Sequence, residues 1–134
     1  MLCYAPGLHF FSVFLGCLRA GVVAVLVYPP DPSKLGSSLA KLNRVVDNCN
    51  PVMCLTDSKV DALRKASKLK ILSKTKDMWP TVPFKCTEAA VSSSLSYDES
   101  HLLETDLAFL QYTSGSTGMS YKKRLSAPCI MCYV

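Results

Sequence analysis

An α/β domain with a mostly parallel sheet is what this sequence predicts, and three observations predict it. Between Phe10 and Tyr28 a helix-length apolar stretch gives way to a β-branched run, Val22 to Val27, as continuous in apolar residues as a strand covered on both faces. Segments of helical spacing then alternate with short apolar runs, in the order helix, strand, helix, strand, helix, as far as Lys68. Finally Leu107 to Tyr112, again of strand length, opens directly into six small or hydroxylated residues, Thr113, Ser114, Gly115, Ser116, Thr117 and Gly118.

The elements follow in order. Leu8 to Ala20 is apolar on nearly every side, which predicts a buried helix, and Gly21 stands where a helix C′ glycine would end it. Val22 to Val27 is the first strand. Tyr28-Pro29-Pro30-Asp31-Pro32 forbids regular structure, because the prolines fix φ and remove backbone donors. Ser33 is the expected N-cap of a helix over 33–48, in which Leu35, Leu39, Leu42, Val45 and Val46 recur at helical spacing and Lys34, Lys41, Arg44 and Asp47 take the wet face. Asn50-Pro51 ends it, residues 51–56 read as the next strand, and 58–68 as a third helix, basic and solvated. From Ser73 to Thr105 the pattern fades into loop, with Ile71-Leu72 a possible strand end and Trp79 a packing residue over the sheet edge. Residues 107–112 are the last strand expected.

The loop after that strand carries the chemistry. Two glycines let the backbone turn toward a ligand with no Cβ in the way, successive N–H groups can converge on an anion, and four hydroxyls add donors. Phosphate suits such a cradle best. Ser/Gly runs are commonly linkers, and a P-loop would need Gly-Lys-Ser/Thr, whereas Met119 and Ser120 follow Gly118.

Composition excludes several classes. The 134 residues are 49% hydrophobic, one domain's worth. The net charge of +5 includes Lys122, Lys123 and Arg124, so residues 1–118 hold twelve basic and ten acidic groups, a balance of +2 and no nucleic-acid footprint. Seven cysteines at irregular spacings suit buried thiols in a reducing, cytoplasmic setting; Cys129-x-x-Cys132 lacks a second pair, and no metal site is expected. His9 and His101 have no sequence partners that suggest chemistry. The nineteen residues from Phe10 to Tyr28 have membrane-spanning length, but Arg19 in mid-span, Gly21 and the change to β-branched residues argue against a span. No basic region precedes them, so a signal peptide is not expected either.

Two strings carry a family resemblance. Gly16-Cys-Leu-Arg-Ala-Gly-Val-Val-Ala-Val25 with Tyr28-Pro-Pro-Asp-Pro32, and Leu110-Gln-Tyr-Thr-Ser-Gly-Ser-Thr-Gly118, resemble, in the same order, parts of the N-terminal domain of the adenylate-forming enzymes, in the fatty acyl-AMP ligase branch. A six-letter string of this kind would arise by chance in about one chain of this length in 10⁵. The resemblance implies part of a three-layer α/β/α domain. It also implies ATP and Mg²⁺ as cofactors, a fatty acid as partner substrate, and Thr113 to Gly118 as the loop that holds the β- and γ-phosphates. Residues 1–118 are expected to form this partial adenylation domain and 119–134 a non-homologous tail, disordered or extended. In the family the loop continues into Pro-Lys-Gly and a further strand; here Ser120 and Tyr121 take the Pro and Lys places and Lys122 comes one position late. The chain begins inside a family element and stops before the aromatic-Gly-x-Thr-Glu motif, the ribose-binding Asp and the catalytic Lys. Two function classes therefore stay open: a piece of an acyl-activating ligase that is inactive alone, and a non-enzymatic remnant or small membrane-anchored protein using residues 10–28.

Overall fold

A six-stranded sheet with helices on both faces organises the chain. The computed structural model describes residues 1–69, 79–88, 106–114 and 120–126. The strands are β1 (Leu2–Cys3), β2 (Ala24–Val27), β3 (Cys54–Thr56), β4 (Phe84–Cys86), β5 (Leu107–Ser114) and β6 (Ser120–Ser126), in the order β4-β3-β1-β2-β5-β6. The first five are mutually parallel, and β6 returns antiparallel to β5.

Connection handedness sets the layers. The crossover from β1 to β2 carries α1 (Leu8–Arg19), and the one from β2 back across β1 to β3 carries α2 (Leu35–Cys49), with α3 (Ser58–Leu69) continuing outward. Right-handed crossovers running in opposite directions must use opposite faces. Strand residues accordingly alternate between two cores. Cys3, Val25, Cys54 and Leu110 join Leu39, Leu42 and Val45 of α2 and Val60 of α3. Leu2, Tyr4 and Ala24, with the half-buried Leu26, Leu55 and Phe109, join Cys17, Phe10, Val13 and Phe14 of α1.

The helix ends follow local chemistry. Gly21 adopts φ 62°, and Val22 N–H donates to Cys17 O (2.9 Å) while Gly21 N–H donates to Leu18 O (3.1 Å), a Schellman closure that stops α1 after twelve residues. Residues 10–28 are thus a helix, a glycine turn and a strand. Among the described residues no helix is long and apolar enough to cross a membrane. Asn50, at φ 44°, ends α2 with its N–H on Val46 O.

Several expectations are corrected. α1 is buried on one side alone: Leu8, Phe11 and Leu15 are 84, 58 and 60% exposed, because a single helix on this face can press only one flank onto the sheet. Val22 and Val23 are exposed ahead of β2, and Val52 and Met53 ahead of β3, so both strands are shorter than their apolar runs. Ser33 is not the cap of α2. It lies in a 3-10 turn, Pro32–Lys34, whose cap is Asp31, with Oδ1 accepting from Ser33 N–H (2.8 Å) and Ser33 Oγ–H (2.7 Å). α3 is only partly solvated, since Val60 and Ser67 are buried. Strands β1 and β4 have no counterpart among the expected elements, and within the tail expected to be disordered or extended, Ser120–Ser126 is extended and pairs with β5. The strand end suggested at 71–72 and the rest of the tail, 127–134, lie outside the described residues.

Trp79 does pack over the sheet edge. Its ring meets Phe84 of β4 edge-on at 5.8 Å, and its Nε1–H donates to Ser67 Oγ at 2.7 Å.

Candidate functional site

The sequence-defined loop sits at the tip of the β5–β6 hairpin. β5 runs two residues beyond the expected Tyr112, so Thr113 and Ser114 are its last residues, paired with Tyr121 and Ser120. Residues 115–119 join the two strands; Gly115, Ser116, Thr117 and Gly118 among them lie outside the described residues. Pairing of Ser114 with Ser120 holds the loop's two ends at the spacing of neighbouring strands, about 5 Å. A second strand therefore supports the loop although its sequence departs from the Pro-Lys-Gly pattern.

Because β5 is parallel to β1–β4, its loop leaves from the carboxyl edge of the sheet, where open α/β folds place their ligands. The exits of β1, β3 and β4 on this edge are tied together. Asp57, buried after β3, accepts from Ala5 N–H at 2.9 Å through Oδ2 and from Val60 N–H at 2.8 Å through Oδ1. One carboxylate thus caps α3 and closes the gap between β1 and β3, the point at which the outgoing crossovers diverge to opposite faces. Tyr4 shares a hydrogen bond of 2.8 Å with Thr87 Oγ1, and burial pushes its phenol up to about 12, against the lowering effect of that bond. His9 at the start of α1 lies 4.0 Å from Glu88 and is well exposed, which agrees with a surface imidazole.

The carboxyl edge thus has two halves. Over β1, β3 and β4 the polar groups satisfy one another. Over β2 and β5, among the described residues, Tyr28 after β2 is 90% exposed, and the hydroxyl-rich string follows β5 in sequence. Tyr112, just before the loop, donates to Asn48 Oδ1 at 2.7 Å, fixing the end of β5 against α2; burial first, and Cys49 second, push its phenol up to about 12. Sequence reading found the loop through its composition and missed Tyr4, Asp57 and Thr87. Asp57 had a legible signal, an acidic residue directly ahead of a helix, whereas Tyr4 and Thr87 are joined only by the adjacency of β1, β3 and β4. No three His, Cys, Asp or Glu side chains are grouped to hold a metal ion among the described residues.

Comparison with known proteins agrees with this geometry. The family model for AMP-binding enzymes matches residues 1–120. A medium-chain-fatty-acid–[acyl-carrier-protein] ligase of Moorena producens is 35% identical over 117 residues, which are 87% of this chain and 19% of that protein. Disco-interacting protein 2 homolog A of Homo sapiens is 32% identical over 81 residues, 60% of this chain and 5% of that one. Among solved structures, a fatty acyl-adenylate ligase from Legionella pneumophila in complex with acyl adenylate and pyrophosphate superimposes with a TM-score of 0.71 at 33% identity, over 94% of this chain and 20% of the other. The chain spans about a fifth of the length of these two ligases. With a matching family model over nearly its whole length and the corresponding parallel sheet, the chain belongs to the AMP-binding enzyme family, in its fatty acyl-AMP ligase-like branch.

Proposed function

We propose that this chain is the phosphate-loop portion of an ATP-dependent ligase that activates a fatty acid. A carboxylate oxygen attacks the α-phosphate, the bond to the leaving pyrophosphate breaks, and an acyl-adenylate forms. The observation that supports this best is that β5 ends with Thr113 and Ser114 at the carboxyl edge of the sheet, from which the Gly-Ser-Thr-Gly string continues in sequence, and that β6 pairs back from Ser120. Backbone N–H groups and hydroxyls at that place suit the β- and γ-phosphates, which leave as pyrophosphate. Magnesium, when bound, neutralises triphosphate charge; the described residues form no carboxylate cluster for it. Buried Cys3, Cys17 and Cys54, all free thiols, support the cytoplasmic, reducing setting.

By itself the 134-residue chain holds ATP weakly and does not turn over. A Ser/Gly-rich string fixes its backbone on a ligand at a cost of about 1–2 kcal/mol per residue, and charge-assisted hydrogen bonds return only about 1.5–3 kcal/mol apiece. No aromatic-Gly-x-Thr-Glu string follows the loop within these residues. The expected result by isothermal titration with Mg-ATP is a millimolar dissociation constant that weakens further when Ser116 and Thr117 are both replaced by alanine. A micromolar constant that survives the double replacement would move the site elsewhere. Fatty-acid-dependent ATP–pyrophosphate exchange above the level of that variant would show the chain to be a complete enzyme.

A further inference from the structure

The support of β5 changes at Tyr112. Up to Gln111 the strand lies between two neighbours, paired with β2 as far as Leu26↔Gln111 and with β6 on its other side. Pro29 and Pro30 follow Tyr28 and have no N–H to give, so the β2 ladder ends here while the pairing with β6 runs on to Ser114 and Ser120. Among the described residues, the ladder therefore holds Tyr112, Thr113 and Ser114 along one edge, as the stem of a two-stranded projection. A two-stranded hairpin is marginal by itself, and its angle to the sheet is soft unless a side chain ties it to another layer.

Tyr112 supplies such a tie. Its ring packs on the core shared by α2, α3 and the sheet, and its hydroxyl donates to Asn48 Oδ1 at 2.7 Å across 64 residues of sequence. Asn48 stands in the last turn of α2, two residues before Asn50 closes the helix at φ 44°. α2 is itself held to the sheet by Leu39, Leu42 and Val45, all buried. The phenol thus fastens the projecting end of β5 to a rigid layer, one residue before Thr113. Packing accounts for the ring but does not call for the hydroxyl: phenylalanine would fill the same space, and Asn48 is exposed, so water could satisfy its amide. What the bond adds is a fixed geometry for the chain beside it, the exit through Thr113 and Ser114.

We propose that Asn48 and Tyr112 are a pair of positioning residues, a latch that sets the direction in which β5 delivers the Thr113–Gly118 string. Neither side chain touches the phosphate; both act through the backbone that leads to it. The inference rests on the ligase reading only for what the string takes. A net hydrogen bond between neutral groups is worth about twofold to tenfold in an equilibrium constant, so opening the latch lowers affinity for a phosphate ligand by about that factor. Because one bond carries the effect, losing both partners costs no more than losing either.

The test titrates the nitrogen-labelled 134-residue chain with inorganic pyrophosphate and follows the amide signals of Gly115 and Gly118 by NMR. Tyr112→Phe and Asn48→Ala are each expected to displace both signals in the free chain, in the same direction, and to raise the pyrophosphate dissociation constant about twofold to tenfold. The double variant should go no further than either single one. Phenylalanine keeps the ring and position 48 is exposed, so the fold should survive, as circular dichroism can check. The urea midpoint, read from Trp79 fluorescence, separates positioning from stability alone. A midpoint lowered by Tyr112→Phe with an unchanged dissociation constant, glycine signals indifferent to Asn48→Ala, or effects that add in the double variant would each overturn the proposal. Signals that respond to both substitutions without adding, in a chain that takes no pyrophosphate, would uphold the latch and reject the phosphate reading.

Discussion

Asp57 joins three pieces of chain with one carboxylate, accepting from the backbone after β1 and from the first turn of α3 while terminating β3. Its replacement by alanine strands the Ala5 and Val60 N–H groups in a buried place. A lost cap costs about 1 kcal/mol and an unsatisfied buried donor about 1–3 kcal/mol, so Asp57→Ala should destabilise by roughly 2–4 kcal/mol in urea unfolding. Asp57→Asn, which keeps one acceptor oxygen, should cost less. The thiols of Cys3 and Cys54 are fully buried in neighbouring strands. The hydrogen bond that the Cys3 thiol donates to Cys54, with burial behind it, pushes that thiol far above the range of a reactive cysteine. Both should resist a thiol reagent at pH 8 until denaturant is added, as mass spectrometry of the labelled peptides can show.

At the scale of elements, α3 is tuned by charge as well as by burial. Asp61 in its first turn accepts from Lys65 Nζ at 2.7 Å and Arg64 Nη2 at 2.9 Å, and these partners, Lys65 first, hold its carboxyl below the usual range. The Arg64 guanidinium also lies 5.0 Å from the centre of the Phe84 ring, linking α3 to β4. A carboxylate whose folded pKa is depressed stabilises the fold at pH values above its unfolded pKa, and the gain is lost as pH falls through the folded value. Stability from this group should be flat between pH 7 and about 5 and decline below about pH 4. Since Lys65 is largely exposed, the whole contribution should be about 1 kcal/mol or less, and Asp61→Asn should shallow the acid limb of a pH series of urea midpoints.

Across the whole molecule, stability rests on the α2/α3 face. Leu39 is fully buried among Leu42, Val45, Val25 and Cys54, whereas the α1 face leaves large apolar side chains in water. Leu39→Ala should cost about 2–5 kcal/mol, a large share of the 5–15 kcal/mol that an ordinary domain possesses. Trp79, the one tryptophan, is buried in the same core, so its fluorescence should report the loss as an earlier unfolding midpoint.

The sequence by itself determined what depends on neighbours along the chain: α1 and its glycine stop, the apolar stripe of α2 with Asn50 closing it, the identity of β2, β3 and β5 as strands, and the phosphate-loop string that places the chain in its family. Tertiary structure decided what depends on partners distant in sequence. β1 has two residues and β4 three, too few for any period to show, yet β1 is a central strand because Met1 and Leu2 meet Leu55 and Leu26 across the sheet. Ser120–Ser126 has no strand pattern and becomes β6 because β5 presents a free edge to pair with. Apolar periodicity told which residues avoid water in a complete fold, but exposure of Phe11 and Leu15 depends on which layers are present. Burial is a property of the assembled layers, and no stretch of sequence carries it alone.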